Sequence, residues 1–296
     1  MRILRAAHMG WCFGVRDAVE LVTTEAQQQP VTVLGELVHN ETVNAALRNQ
    51  GVQLRQRLSE VRTPTVIITA HGTSATALEQ ARQAVPRVLE ATCPLVHFAH
   101  RSVQALVAAG FHPVIVGKRD HVEVRGMTGD LAEFDVVLTE ADIARLRPRT
   151  RFGVASQTTQ PIDRVRRLVA ALRERFPTAE VRFADTVCQP TKQRQTAAVA
   201  LARQCDLVVV IGGHHSNNTH ELAQTCARFC PRVLRIESAD ELRAEWFADV
   251  ETVGLTAGTS TPDETIDAVE CWLNELNKRR ADADAQESHR VVPVCS

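Results

Sequence analysis

The sequence predicts an α/β protein of three similar lobes, each a parallel-type sheet flanked by helices. Three observations predict it. Short β-branched runs alternate with longer helical patterns along the chain, as expected of parallel strands joined by helices. Several strand-like runs end in small, polar or glycine-containing segments, and ligands of open α/β sheets bind outside the carboxyl ends of strands. Three cysteines recur at near-even spacing, each after a strand and before a helix.

The strand-like runs occupy residues 3–6, 31–34, 66–69, 114–116, 136–138, 152–155, 181–183, 207–211, 233–236 and 253–256. Helical patterns lie between them, at 15–28, 96–109, 163–176, 191–204 and 219–229. Four strand ends carry hydroxyl, amide or imidazole groups: Ala70-His71-Gly72-Thr73-Ser74, Ser156-Gln157-Thr158-Thr159, Gly212-Gly213 leading to Ser216-Asn217-Asn218, and Ala257-Gly258-Thr259-Ser260. Such ends suggest one polar ligand gripped from several sides. The lobes are read as residues 10–93, residues 94–187, and residues 188–280 together with 1–9. Sequence similarity among them is too weak to define a repeat by itself. Residues 281–296, polar at first and ending in Val291-Val292-Pro293-Val294, read as a terminal arm.

Bulk properties bound the function. The chain has 296 residues, long for one ordinary core and short for three large ones. Hydrophobic residues make up 44% and charged residues 23%, as in a soluble globular protein. A net charge of −1 gives no global field to draw in nucleic acid or an anionic membrane. No apolar run approaches the ~20 residues that span a bilayer, and the start of the chain reads as a strand rather than a signal peptide. A cytoplasmic enzyme that binds neither nucleic acid nor membrane is the expectation.

The eight cysteines divide into three groups. Without an export signal, reduced thiols are expected. Cys205, Cys226, Cys230 and Cys271 sit in helical or helix-to-strand patterns and read as core. Cys226 and Cys230 share a helix face but lack the second ligand pair of a zinc site. Cys295 falls in the tail. Cys12, Cys93 and Cys188 instead occupy loop-to-helix junctions beside Gly, Thr and Pro, in Gly10-Trp11-Cys12-Phe13-Gly14, Ala91-Thr92-Cys93-Pro94 and Asp185-Thr186-Val187-Cys188. A helix N-terminus favours the thiolate, the form that binds metal. Context alone leaves a shared metal site and separate structural roles both open. Three thiolates without a fourth suit a cubane cluster with one open iron, and an open iron can accept a substrate oxygen. Zinc competes through the run Cys93, His97 and His100, although these histidines read equally well as surface residues of the following helix.

With these residues identified, the sequence resembles the 4-hydroxy-3-methylbut-2-enyl diphosphate reductases, the IspH/LytB family. The resemblance spans roughly residues 1–275, in order throughout. It is carried by Gly10-Trp11-Cys12-Phe13-Gly14-Val15, Gly35-Glu36-Leu37-Val38-His39-Asn40, Ala70-His71-Gly72, Ala91-Thr92-Cys93-Pro94-Leu95-Val96 and His121-Val122-Glu123. It continues through Gln157-Thr158-Thr159, Thr186-Val187-Cys188, Arg194-Gln195, Ser216-Asn217-Asn218 and Thr256-Ala257-Gly258-Thr259-Ser260. Any one piece is weak; the ordered set is specific.

The resemblance implies a trefoil arrangement of the three lobes around a central 4Fe-4S cluster, held by Cys12, Cys93 and Cys188 with one iron open. It implies a two-electron, two-proton reductive removal of the substrate hydroxyl as water, giving isopentenyl and dimethylallyl diphosphate. Electrons would come from a carrier of the ferredoxin or flavodoxin type. Glu123 would donate a proton and Thr158 would help position the substrate hydroxyl. His39, His71 and His121 would line the diphosphate pocket, and Ser216, Asn217, Asn218 and Ser260 would complete it. The chemistry is consistent: a diphosphate in a closed pocket needs many donors, neutral donors limit buried fixed charge, and a carboxyl in such a cavity has a raised pKa.

The sequence departs from the family pattern in two places. Val122 stands where the family often has Pro, which bears on loop rigidity. Gly213-His214-His215-Ser216-Asn217-Asn218 replaces a common Ser-Lys-Asn-Ser-Ser-Asn, so Asn217 stands where a Ser usually meets phosphate. An Asn amide still donates but is longer, and His214 and His215 add titratable groups. These departures motivate an alternative: a non-catalytic iron–sulfur sensor or divergent paralogue on the same scaffold. A zinc-dependent hydrolase is a third reading.

Overall fold

The computed structural model describes the backbone of residues 1–290 and the side chains of residues 1–282. The alternation runs through it. β1 (Arg2–Arg5) is followed by α1 (Phe13–Gln28), β2 (Val31–Leu34), α2 (Glu41–Asn49), β3 (Gln53–Arg55), β4 (Thr65–Ile68), α3 (Ala75–Ala84) and β5 (Arg87–Glu90). Next come α4 (Pro94–Ala108), β6 (His112–Val116), α5 (Val122–Thr128), β7 (Asp135–Val137), α6 (Glu140–Arg145), β8 (Arg151–Ser156), α7 (Ile162–Arg175) and β9 (Glu180–Phe183). The chain ends with α8 (Gln189–Ala202), β10 (Leu207–Ile211), α9 (Asn217–Ala227), β11 (Arg232–Ile236), β12 (Thr252–Ala257) and α10 (Asp263–Arg290).

Among the described residues these strands form three four-stranded sheets, in the orders β1-β12-β10-β11, β3-β2-β4-β5 and β7-β6-β8-β9. Every pairing is parallel. One scheme serves all three. The first strand of each sheet pairs with the second and third, and a fourth adds outside the third. In the sheet of β10, β11 and β12 the fourth place is taken by β1, from the opposite end of the chain, with Arg2 in register with Thr252.

Every expected strand is present, with ends shifted by a residue or two. β3 and β5 were not expected. They are Gln-Leu-Arg and Arg-Val-Leu-Glu, the two edges of one sheet. An edge strand needs only one bonded side and carries charge against further pairing, so it lacks the apolar run that marks a central strand.

The chain divides into two compact units, Met1–Gly10 with Thr196–Ser296, and Trp11–Gln195. In the first, β10 is buried on both faces, as central parallel strands are. Leu207, Val209 and Ile211 pack with Phe247, Leu255, Ile266 and Leu273, while Val208 and Val210 pack with Leu201, Leu222 and Cys226. In the second unit, Val31, Val33 and Ile67 pack against Ala18 and Val22 of α1. Val114, Val116 and Val154 pack against Val165, Leu168 and Leu172 of α7, and Ile115 and Ala155 against Ala99 and Val103 of α4.

Cys205, Cys226 and Cys230 are buried, as expected of core residues. α9 ends at Ala227, however, so Cys230 lies beyond the helix rather than on its face, and its Sγ–H donates to the Cys205 carbonyl at 3.2 Å. Cys271 is not core but exposed. It points away from the face of α10 that buries Ile266, Val269 and Leu273 at helical spacing. Because α10 runs to Arg290, the expected tail from Ala281 begins as helix. Residues 291–296, including Cys295, lie outside the described residues. No helix among the described residues is long and apolar enough to cross a membrane.

The edge strand β5 is tied to α1 by a bidentate pair: Arg87 Nη1 and Nη2 donate to the Glu25 carboxylate at 2.7 and 2.9 Å, with Glu25 buried. Arg87→Ala should lower the unfolding free energy by roughly 1–3 kcal/mol, because it removes both guanidinium donors from that buried carboxylate. Urea denaturation will read this, and an unchanged midpoint would mean the pair is idle.

Candidate functional site

The three singled-out cysteines share one local geometry. Cys12 and Cys93 are the N-cap residues of α1 and α4, and Cys188 directly precedes α8. Their carbonyls accept the first helical bonds, from the N–H groups of Arg16, His97 and Lys192, each at 3.1 Å. Each cysteine follows the fourth strand of a sheet: β1, β5 and β9 respectively. Pro94 at the first helical position is pre-set for the helix start. The Thr preceding Cys93 and Cys188 is explained by anchoring. Thr92 Oγ1 donates to the Thr69 carbonyl at 3.4 Å, and the Cys93 N–H donates to the Ala70 carbonyl at 3.1 Å. Thr186 Oγ1 accepts the Ser156 N–H and donates to the Ser156 carbonyl, both at 2.7 Å. The Cys188 N–H donates to the Thr158 carbonyl at 3.0 Å.

Gly14, at the start of α1, lies against Cys93. A Cβ there would overlap Cys93 Sγ and stand 3.0 Å from Cys93 Cβ, so only glycine allows this approach. Burial pushes the Cys93 thiol up; the Leu95 and Val96 N–H groups oppose this, while Cys12 and Glu123 add to it. Burial likewise pushes Cys188 up to about 11, opposed by the Thr191 hydroxyl and N–H and reinforced by Cys12 and Glu123. Cys188 Sγ stands 3.0 Å from Thr191 Oγ1. Cys12 and Glu123 thus act on both other thiols, so all four groups share one electrostatic neighbourhood. Three half-buried thiols at helix starts fit a metal group that takes thiolates, because the helix dipoles favour anionic sulfur and metal binding displaces the protons that burial retains. The zinc run disperses instead. Cys93 turns to Gly14, His97 Nε2 stands 3.9 Å from Glu90 at the surface, and His100 lodges against Gly72 and Gly126.

Glu123, in the first turn of α5, is 2% exposed. The Thr158 N–H donates to its Oε1 at 2.6 Å. Burial raises its pKa to about 7 against the opposing pull of the Thr158 N–H and hydroxyl. His121, the N-cap of α5, accepts the Glu123 N–H at Nδ1, 3.2 Å away, which leaves Nε2–H as its outward donor. Burial, followed by the His39, Lys118 and Arg125 charges, lowers the His121 pKa to about 3. His71 is lowered well below the usual range by burial and then by His39 and His121. His39 donates from Nδ1 to Glu36 at 3.0 Å. The three rings cluster: His39 stacks on His71 at 4.3 Å between centroids, and His121 meets them edge-on at 5.1 and 5.6 Å. Val122 fills the first helical position of α5, where Pro also fits, so this departure preserves the helix start.

The remaining expected residues belong to the unit Met1–Gly10 with Thr196–Ser296. Ser216 caps α9, accepting the Thr219 N–H at 3.3 Å, and Asn217 and Asn218 open the helix, both buried. Ser260 follows β12, the strand paired with β10, and a Cβ on nearby Gly258 would stand 3.4 Å from Asn218 Nδ2. Asn218 Nδ2 and Ser260 Oγ are buried without a hydrogen-bond partner among the described residues, a state that buried polar atoms avoid unless something else meets them. His214 Nε2 meets carboxylates at the surface, 3.1 Å from Glu241 and 4.0 Å from Glu237, and His215 is exposed.

Sequence reasoning did not assign roles to Gly14, Thr191 or Arg194. All three lie within or beside cysteine motifs, so a helix-start reading of those motifs could have found them. Arg194 is the most consequential; its Nη2 donates to the Trp11 carbonyl at 2.8 Å.

Comparison with known proteins gives a consistent picture. The family profile described as LytB protein matches residues 3–274. A 4-hydroxy-3-methylbut-2-enyl diphosphate reductase from Geobacter metallireducens is 38% identical over 282 residues, covering 95% of this chain and 99% of that protein. One from Trichlorobacter lovleyi is 38% identical over 279 residues, covering 94% and 99%. Among solved structures, the E-1-hydroxy-2-methyl-but-2-enyl-4-diphosphate reductase from Plasmodium falciparum matches with a TM-score of 0.84 at 27% identity, over 90% of this chain and 86% of that one. A structure described as (E)-4-hydroxy-3-methyl-but-2-enyl diphosphate reductase, the terminal enzyme of the non-mevalonate pathway, matches with a TM-score of 0.67 at 35% identity, over 93% and 100%.

The Glu123 pKa sets an observable. Its protonated carboxyl stretch in the infrared, identified by its loss in Glu123→Gln, should titrate away with a midpoint of about 7 as pH rises. The folded pKa lies above the unfolded value, so the folded state binds the extra proton. The stability contributed is complete below the ordinary glutamate value of 4.5 and is lost as pH rises through about 7. A midpoint in the ordinary carboxylate range would refute the burial argument.

Proposed function

The chain belongs to the LytB protein family, and from that premise we propose that it carries out the reaction named for its relatives, the reduction of 4-hydroxy-3-methylbut-2-enyl diphosphate. It is an iron–sulfur oxidoreductase of the non-mevalonate isoprenoid route. Two electrons and two protons enter, the substrate hydroxyl leaves as water, and isopentenyl and dimethylallyl diphosphate are the products. The observation that carries the site assignment is Glu123: a buried acid, protonated near neutral pH, linked through Thr158 to Cys188. A sensor has no need of such an acid, which favours the enzyme over the non-catalytic alternative.

Cys12, Cys93 and Cys188 would hold a 4Fe-4S cluster and leave one of its irons without a protein ligand. When bound, the cluster supplies electrons and a Lewis-acidic iron for the substrate oxygen. The chain's own residues supply the rest. Glu123 delivers one of the two protons to the departing hydroxyl, and a pKa of about 7 suits that transfer at neutral pH. The Thr158 hydroxyl, beside that carboxyl, orients the substrate hydroxyl. His39, His71 and His121 donate to the diphosphate, His71 and His121 as neutral rings. Ser216, Asn217, Asn218 and Ser260 are further substrate ligands, an assignment supported by the unsatisfied Asn218 and Ser260 groups. The electron donor is a carrier of the ferredoxin or flavodoxin type, and the setting is cytoplasmic, where thiols stay reduced.

Assay of the anaerobically reconstituted protein with the diphosphate and a strong reductant tests the reaction. Glu123→Gln should retain iron and sulfide yet lose nearly all turnover; unchanged turnover would refute the proton-donor role. In the wild type, kcat/KM should fall as pH rises through about 7, because the donor of the free enzyme loses its proton. Asn217→Ser, which restores the common family residue, should lower KM for the diphosphate with little change in kcat. A raised KM would show that the Asn amide makes the better contact.

A further inference from the structure

We infer that Arg194 is the fixed counter-cation of the iron–sulfur cluster, clamping two of its ligand segments together and raising its reduction potential. This rests on the assignment of Cys12, Cys93 and Cys188 as the cluster ligands. Arg194 lies in α8, the helix headed by Cys188, and is 7% exposed. Its Nη1 donates to the Pro190 carbonyl at 3.2 Å, in the first turn after Cys188. Its Nη2 donates to the carbonyl of Trp11, the residue before Cys12, at 2.8 Å. One side chain therefore bridges the segments that present two ligands far apart in sequence. The planar guanidinium suits this, because its fork reaches two acceptors at once.

The charge matters separately from the clamp. A buried cation is costly unless anionic groups lie near it. Burial disfavours the charged guanidinium, and the Cys12 and Cys188 sulfurs favour it. A guanidinium stays protonated in proteins, so it provides a constant positive charge beside two thiolates. One electron passing from a low-potential carrier to the cluster adds one negative charge and no proton. A fixed cation nearby then stabilises the reduced form more than the oxidised form, and net charge is one of the established determinants of cluster potential.

The experiment compares wild type, Arg194→Gln and Arg194→Lys after anaerobic reconstitution. Iron and acid-labile sulfide are measured first. A redox titration with dithionite and viologen mediators, followed by electron paramagnetic resonance, then gives the one-electron potential. Arg194→Gln should keep its iron and sulfide but shift the reduction equilibrium about tenfold toward the oxidised form, which is about 59 mV. Arg194→Lys, which keeps the charge and loses the fork, should stay within about threefold of wild type. A loaded Arg194→Gln with the wild-type potential overturns the inference, as does an Arg194→Lys displaced as far as Arg194→Gln. If Arg194→Gln takes up no cluster, Arg194→Lys decides: a near wild-type potential supports the inference and a tenfold displacement overturns it. Wild-type protein that binds neither iron nor sulfide overturns the ligand assignment itself, an outcome distinct from a loaded cluster with an unmoved potential.

Discussion

One row of hydrogen bonds orders the site in the unit Trp11–Gln195. The Cys188 N–H donates to the Thr158 carbonyl, the Thr158 N–H to the Glu123 carboxyl, and the Glu123 N–H to His121 Nδ1. Every donor in the row is a main-chain group. Two of the three acceptors are side-chain atoms, Glu123 Oε1 and His121 Nδ1, so the row fixes these two rotamers as it holds the loops in register. The row also fixes chemistry at both ends. It selects the His121 tautomer, and it sets the Thr158 N–H, beside the Thr158 hydroxyl, on the Glu123 carboxyl. A donor to the carboxylate lowers its pKa, and burial raises it. At 2% exposure burial wins, and the acid stays protonated near neutrality.

That balance requires the neighbouring imidazoles to be neutral. Two or three buried imidazolium ions beside Glu123 would favour its anion and remove the proton it has to give. Burial and mutual repulsion keep His71 and His121 uncharged, so they act as hydrogen-bond donors without a full charge. An incoming diphosphate then works in the same direction for the acid, since a nearby anion disfavours the carboxylate. The anion instead favours protonation of the rings that bind it. Under the proposed function, a pocket of neutral donors would grip the substrate while keeping the acid loaded, which a pocket of lysines or arginines would not do. The fixed cation proposed above lies at Arg194, where the Cys12 and Cys188 sulfurs favour its charge.

How much of this was legible in the sequence follows from what each feature needs. Leu207–Ile211 is an unbroken apolar run because both its faces are buried, and such runs reveal central strands directly. β3 and β5 were missed because an edge strand has no such requirement; Arg87 and Glu90 are suited to an edge. Cys271 was misread because Ile266, Val269 and Leu273 define a buried face that excludes it, and face membership is a weak inference for a single residue. The cysteine junctions were legible because a thiol at a helix start has nearby Gly, Pro and Thr for stated reasons: Gly14 for close approach, Pro94 for the helix start, Thr92 and Thr186 for anchoring. Tautomers, the ordering of pKa values and the reach of Arg194 depend on which atoms meet across long sequence separations, and local pattern does not encode that.

The near-even spacing of the three cysteines has a topological origin. In each sheet the chain adds a fourth strand outside the third and then turns into a helix, and the cysteine sits at that turn. For two of the sheets the fourth strand is β5 or β9; for the other it is β1, supplied from the opposite end of the chain. Cys12 therefore lies near the N-terminus although it holds the same position in the scheme as Cys93 and Cys188. What repeats is a location, the end of a parallel strand followed by the N-terminus of a helix, where backbone N–H groups and the helix dipole both favour an anionic ligand. Such a location constrains only a short strand, a turn and a helix start. The intervening residues are free to diverge, which is why the three stretches share an architecture and a thiol but little sequence.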